Sequence, residues 1–319
     1  MHRPVPALVR SMRYLELDGV PALSKIGLGT WQFGSREWGY GEAYASREAG
    51  RIVRRALELG VTLIDTAEIY GFGRSERIVG AALGADRDRV FLATKIFPLF
   101  PVAPVVRRRA AGSARRLGIR RLDLYQVHQP NPLVRDGTTM RGMRDLQDRG
   151  VVGEVGVSNY SLPRWRRAEA ALERRVLSNQ VSYSLADRRP ERDLIPYAAE
   201  SDRVVIAYSP LARGFLSARY GPDRRPRNAV RRRGLFAAES LERARGLFAV
   251  LRQVADAHDA TPAQVALAWV IRHPNVVAIV GASAVAQVEA NAAAAHLQLA
   301  ADEIDALTAA AAAAFRPLR

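Results

Sequence analysis

Short apolar runs alternate with helix-like segments along the whole chain. The runs predict strands at about 25–29, 61–64, 90–94, 122–127, 152–157, 176–181, 203–208 and 276–280. The intervening segments predict helices at about 46–59, 75–83, 104–117, 137–149, 162–173, 191–200, 238–258, 262–273, 284–295 and 301–314. Strand and helix in alternation make a parallel sheet covered by helices. Eight such strands with no Ser- or Gly-rich linker predict one α/β domain, a (β/α)8 TIM barrel with its chemistry at the C-terminal ends of the strands. A doubly wound sheet is the rival, but it wants a Gly-rich phosphate loop after its first strand. Here Ile26-Gly27-Leu28-Gly29-Thr30-Trp31 lacks the third glycine and opens no helix. The irregular stretch 209–236 follows the seventh strand, which places it at the active-site face. The Ala-rich C-terminal helix, with its run Ala309 to Ala314, reads as packing.

The 319-residue length and 48% hydrophobic content suit a single closed barrel, assigned to residues 13–319. Residues 1–12 read as an N-terminal tail, with Met12 an alternative start. No apolar run reaches the ~18 residues a membrane helix needs, and the N-terminus shows no signal-peptide pattern, so a cytoplasmic protein is expected. Cysteine is absent, which excludes disulfides and thiolate chemistry. The net charge of +16 would fit a nucleic-acid binder, but it comes almost wholly from scattered arginine; Lys25 and Lys95 are the only lysines. No basic stripe with stacking aromatics and no recognition motif accompanies it, so nucleic acid is excluded as a partner. No heptad seam or swapped element fixes an oligomeric state.

Four polar residues stand just past three of the predicted strands: Asp65 and Tyr70 after the second, Lys95 after the third, His128 after the fourth. At one end of a closed sheet they can converge. Free tyrosine, with a pKa of ~10, is a sluggish acid at neutral pH. A neighbouring ammonium lowers that value, and Lys95 supplies one. Asp65 can hold Lys95, and His128 can donate to or orient a substrate oxygen. Burying an ammonium costs energy unless it is paired, so a lysine directly after a buried strand points to function rather than surface. A metal-dependent hydrolase is the competing barrel chemistry. It needs several His and carboxylates at strand ends, whereas of the five histidines only His128 falls there, and no HxH or HExxH occurs.

With these residues in place, the chain from about Arg13 to Ala300 resembles the aldo-keto reductase family, nearest its bacterial and potassium-channel β-subunit-like branch. The likeness rests on six ordered motifs: Gly27-Leu28-Gly29-Thr30-Trp31; Asp65 to Gly71 with Gly73-Arg74-Ser75-Glu76; Leu124-Tyr125-Gln126-Val127-His128; Gly156-Val157-Ser158-Asn159; Ala207-Tyr208-Ser209-Pro210-Leu211; and Val280-Gly281-Ala282-Ser283 with Asn291. The resemblance implies a catalytic tetrad of Asp65, Tyr70, Lys95 and His128 and an NADP(H) cofactor, with NAD(H) the alternative. It also implies that Ser158, Asn159 and Gln180 hold the nicotinamide carboxamide and that Tyr208 stacks on the ring. Ser209, Pro210, Leu211, Gly214 and Ser217 would follow the pyrophosphate, with Thr30 and Trp31 nearby. Gly281, Ser283, Gln287 and Asn291 would take the adenosine end. Many relatives carry Lys or Arg where this chain has Ser283; Arg219 matches a loop position that serves the 2′-phosphate in relatives with Ser there. Ala290 replaces an acidic residue that often contacts adenine. Trp31, Phe97 and Gln129 are the expected substrate-pocket walls.

Three functions fit this reading: reduction of an aldehyde or ketone, oxidation of a sugar or polyol, and cofactor sensing by a regulatory protein on the same barrel. The intact tetrad favours an enzyme, because a sensor has no need of the acid or its lysine partner.

Overall fold

The computed structural model describes residues 12–34, 42–221, 224, 226 and 234–315, of which 42–46 by their backbone alone. Two short strands, β1 (Tyr14–Leu17) and β2 (Val20–Ser24), form an antiparallel hairpin. Eight more follow: β3 (Ile26–Gly29), β4 (Leu63–Asp65), β5 (Phe91–Ile96), β6 (Leu122–Val127), β7 (Val152–Ser158), β8 (Val176–Ser182), β9 (Val204–Tyr208) and β10 (Val276–Gly281). These eight pair in parallel, each with its sequence neighbour, and β10 closes onto β3. The expected TIM barrel is therefore the observed one.

The helices are α1 (Trp31–Gly34), α2 (Glu42–Glu58), α3 (Arg74–Leu83), α4 (Ala103–Leu117), α5 (Asp136–Asp148), α6 (Leu162–Leu172), α7 (Leu194–Glu200), α8 (Ala238–Arg243), α9 (Arg245–Ala257), α10 (Pro262–Val270), α11 (Val285–Ala293) and α12 (Ala301–Ala314). Their inner faces pack on the outward-facing strand residues, so that Ile52, Val79, Val106, Met143, Trp165 and Leu251 join Ile64, Leu92, Val127 and Val157 in one buried layer.

Inside the barrel lies a second, smaller core of Leu63, Phe91, Ala93, Leu124, Val204, Ile206, Val277 and Ile279. Leu15, Leu17 and Leu23 of the hairpin join it, so the hairpin plugs the N-terminal end of the barrel. At that end Lys25 Nζ donates to the carbonyls of His273 and Pro274 at 2.6 and 2.7 Å. The apolar interior stops halfway up. In the next layer the inward positions change to Asp65, Lys95, Gln126, Ser178 and Gln180, all buried. Gly156 makes room for them, since a Cβ there would lie 2.2 Å from Ser178 Oγ and 2.9 Å from Gln126 Cγ.

The chain departs from expectation in several places. The hairpin of β1 and β2 precedes the first predicted strand, at about 25–29, and is not among the predicted elements. The helix at 191–200 begins as a 3-10 turn, Arg189–Arg192, and becomes α-helical only after Asp193, whose φ of −148° interrupts it. The helix expected over 238–258 breaks at Ala244 into α8 and α9. A 3-10 segment, Ala212–Ser217, lies near the start of the long loop, of which 222, 223, 225 and 227–233 fall outside the described residues. The proposed tail falls outside them too, apart from Met12, which is buried in the core.

Candidate active site

Asp65 ends β4, Lys95 lies on β5, and His128 follows the last residue of β6. Tyr70 comes from the turn between β4 and α3. That turn is fixed by a backbone crossing with α1: a Cβ on Gly34 would sit 2.4 Å from the Tyr70 carbonyl, and Gly71 adopts φ 59°. The four expected catalytic residues converge. Lys95 Nζ lies 2.5 Å from Asp65 Oδ1, 2.8 Å from the Thr66 carbonyl and 3.4 Å from Tyr70 Oη. The His128 ring meets the Tyr70 ring edge-on, with centroids 5.7 Å apart.

The electrostatics refine the expected roles. Burial pulls the Lys95 ammonium toward neutrality, but the Asp65 charge and the hydrogen bonds to Asp65 and Tyr70 outweigh it, so its pKa is raised and the ammonium keeps its proton. For Tyr70 the balance goes the other way. Burial raises the phenol above its ordinary value, and the opposing pull of Lys95 only partly offsets this. The sequence-based expectation of a net lowered pKa is thus corrected: Lys95 limits a rise that burial imposes. A phenol in this state holds its proton at neutral pH and has it to give. Burial, then the Lys95 charge, lowers His128 to about 3, so its imidazole is neutral. Its Nδ1 is buried with no partner among the described residues.

The polar layer contains residues that motif reading did not single out. Asp65 Oδ2 accepts from Gln180 Nε2 at 2.8 Å and from Gln126 Nε2 at 3.4 Å, and Ser178 Oγ donates to Gln126 Oε1 at 3.2 Å. The requirement that a buried Gln180 find partners is met by the Asp65 carboxylate. Gln126 could have been found by the same test, because an amide inside a predicted buried strand must be satisfied. Glu68 and Arg109 were also missed. They pair at 2.7 Å, and Glu68 accepts from the Phe97 backbone N–H at 2.5 Å.

The remaining expected residues fall around the same rim. Ser158 Oγ donates to the Gln180 carbonyl at 2.8 Å. Asn159, at φ 61°, accepts at Oδ1 from Tyr208 Oη at 2.9 Å. Ser209, Ala212, Arg213 and Gly214 have positive φ, with Leu211 between them at φ −99°, so the chain turns sharply after β9. Ser217 Oγ donates to the Gly214 carbonyl at 2.7 Å. Pro210 is buried, Leu211 half-buried, and Arg219 exposed. At the N-terminus of α11, Gln287 Oε1 accepts from the Ser283 backbone and hydroxyl at 2.7 and 2.9 Å, and Asn291 Nδ2 donates to the Gly281 carbonyl at 3.4 Å. Ser283, Gln287 and Asn291 thus form one surface, four residues apart on successive turns. The hydroxyl of Thr30 is committed to the scaffold, donating to the Asp65 carbonyl at 2.9 Å. Phe97 stands edge-on to His128 at 6.4 Å, while Trp31, at the start of α1, and Gln129, in the loop after β6, are exposed.

The C-terminal mouth of the parallel barrel thus gathers a tyrosine that holds its proton, a charged lysine and a neutral histidine, an arrangement suited to chemistry on carbonyl or alcohol groups. Comparison with known proteins specifies the family. Residues 25–312 match the Aldo/keto reductase family. An uncharacterized oxidoreductase of Mycobacterium tuberculosis (strain ATCC 25618 / H37Rv) is 57% identical over 307 residues, covering 96% of this chain and 95% of that one. Methylglyoxal reductase YeaE of Escherichia coli (strain K12) is 32% identical, covering 92% of each. The crystal structure of an aldo-keto reductase from Klebsiella pneumoniae in complex with NADPH superposes with a TM-score of 0.78 at 31% identity and covers 97% of both chains. The chain belongs to the aldo/keto reductase family.

Proposed function

We propose that this protein is an NADPH-dependent reductase of aldehydes or ketones, with Tyr70 as the general acid. The observation that carries the reading is the approach of a buried, Asp65-held ammonium to within 3.4 Å of the Tyr70 hydroxyl. NADPH, when bound, supplies a hydride to the carbonyl carbon. Tyr70 gives its proton to the carbonyl oxygen, so that an alcohol and NADP+ result. Lys95 stabilises the phenolate left behind, and Asp65 fixes Lys95. His128, being neutral, donates a hydrogen bond to the carbonyl oxygen without adding a charge that would compete with Lys95.

The residues present suit this cofactor. Ser158, Asn159 and Gln180 would hold the carboxamide, and Gln180 can accept at Oε1 while its Nε2 stays on Asp65. Tyr208, tethered to Asn159, would stack on the nicotinamide. The turn from Ser209 to Gly214, left-handed at Ser209 and again over Ala212 to Gly214, would receive the pyrophosphate, with Ser217 at its end. Gly281, Ser283, Gln287 and Asn291 would take the adenosine, and Arg219 the 2′-phosphate. The Klebsiella relative's NADPH complex supports the cofactor assignment. The cytoplasm, where a reductase of this kind draws on NADPH, is the compartment this reading implies. Among the described residues no helix is long and apolar enough to cross a membrane. The test is a panel of aldehydes and ketones with NADPH and with NADH: consumption of NADPH coupled to alcohol formation supports the reading, and no turnover on any carbonyl refutes it.

A further inference from the structure

Among the described residues, seven large hydrophobic side chains are exposed, and six of them, Trp31 at the start of α1 and Ile69, Phe72, Leu99, Phe100 and Leu133 on loops, lie in the segments that follow β3, β4, β5 and β6. These strands are consecutive neighbours in the barrel, so the six form one arc on the rim that carries the tetrad. Phe72 is 91% exposed, Leu133 81% and Phe100 61%. Scattered single hydrophobics on a surface need no explanation, but an apolar group confined to one side of a catalytic mouth does.

The arc is held rather than loose. Glu68, in the loop after β4, pairs with Arg109, which donates to the carbonyls of Phe97 at 2.8 Å and Leu99 at 3.4 Å in the next loop. Asn131, in the loop after β6, donates to the Pro98 carbonyl at 2.5 Å and accepts from the N–H groups of Leu133 and Val134 at 2.6 Å. Polar braces thus tie three loops together from below, while the apolar side chains face outward. Phe72 and Phe100 have φ of 53° and 46°, a left-handed backbone that is unfavourable for bulky residues. Strain of this kind persists where the surroundings impose it, and it concentrates at ligand-binding surfaces. At its inner edge the arc reaches the tetrad through Phe97, which packs against His128.

We propose that this arc binds the body of the substrate, and that the substrate is a carbonyl carried on an extended apolar chain or ring system rather than a polyhydroxylated sugar. The inference rests on the reductase reading above and names the substrate class of that same site. Of the six side chains only Trp31 carries a polar atom, so a sugar would give up water here with little in exchange. An alkyl or aromatic body would be desolvated against them with gain, by roughly fourfold for each methylene fully buried.

The test is kcat/KM with NADPH for straight-chain aldehydes from propanal to decanal, alongside glyceraldehyde and a pentose, for the wild type and for the Phe100→Ser/Leu133→Ser double variant. Both positions are exposed, so folding should survive, and circular dichroism checks it. The expected result is a rise of about twofold to fourfold per methylene over part of the series, with the pentose at the bottom. The double variant should lose at least tenfold more on decanal than on propanal. A flat series, a preference for the pentose, or equal losses on both aldehydes would overturn the proposal. A change in light-scattering mass in the double variant, with the decanal-to-propanal ratio unmoved, would assign the arc to a second copy of the chain and also overturn it. Absence of turnover on every carbonyl would instead strike the reductase reading, which keeps the two failures distinct.

Discussion

The Lys95 ammonium and the Asp65 carboxylate stand 2.5 Å apart, with side chains 0% and 2% exposed. A buried pair is costly to break from one side, because the remaining charge is left without a partner. Asp65→Asn and Lys95→Met should each lower stability by about 3–5 kcal/mol. The double variant, which leaves no orphaned charge, should lose clearly less than the sum. Denaturant unfolding of the four proteins measures this; additive losses would mean that the two residues do not act as a pair.

Gln126 is a positioning residue in this account, braced by Ser178 and donating to the outer oxygen of Asp65. Gln126→Leu should reduce kcat/KM about tenfold, in keeping with loss of a hydrogen bond to a charged group. It should leave cofactor affinity unchanged. Gln180→Leu, by contrast, should weaken cofactor binding as well. Equal effects of the two variants on cofactor affinity would argue against the division of roles.

His128 carries a consequence for pH dependence. Its native pKa is lowered to about 3, against an ordinary value of 6.5. Between those values the unfolded chain binds a proton that the native chain refuses, so this residue's contribution is fully present above pH 6.5 and is lost as pH falls toward 3. Replacing His128 with Gln should flatten the stability curve across that window. The wild-type kcat profile should show no imidazole limb between about pH 5 and 8. A limb in that range that disappears in the variant would show that His128 titrates there.

Arg219 is the residue proposed to meet the 2′-phosphate where this chain has Ser283. If the Arg219 guanidinium serves the 2′-phosphate, Arg219→Ala should lower the preference for NADPH over NADH by about tenfold to a hundredfold. An unchanged ratio would remove Arg219 from that role.

The barrel was readable because each strand is a short buried run bounded by helices; the spans predicted for 122–127 and 301–314 match β6 and α12. The hairpin was missed although its signal is present. Tyr14-Leu15-Glu16-Leu17 alternates exposed and buried, and Asp18-Gly19, with Gly19 at φ 67°, is a favoured two-residue hairpin turn. The tetrad was legible because strand ends in one parallel barrel share a rim. What joins it was not. Gln180 lies 115 residues from Asp65 and Gln126 lies 61 away, and which buried amide meets which carboxylate depends on barrel closure. The sign of the Tyr70 shift was misjudged for a related reason: the sequence names the neighbouring ammonium, whereas the burial that outweighs it follows from packing.

The central claim is that Tyr70 delivers the proton, and Tyr70→Phe tests it most directly, with turnover and NADPH binding measured on the same preparation. The account predicts a fall in kcat of roughly a hundredfold to ten-thousandfold, with NADPH affinity, read by fluorescence quenching, unchanged. Turnover within a few-fold of the wild type would contradict it.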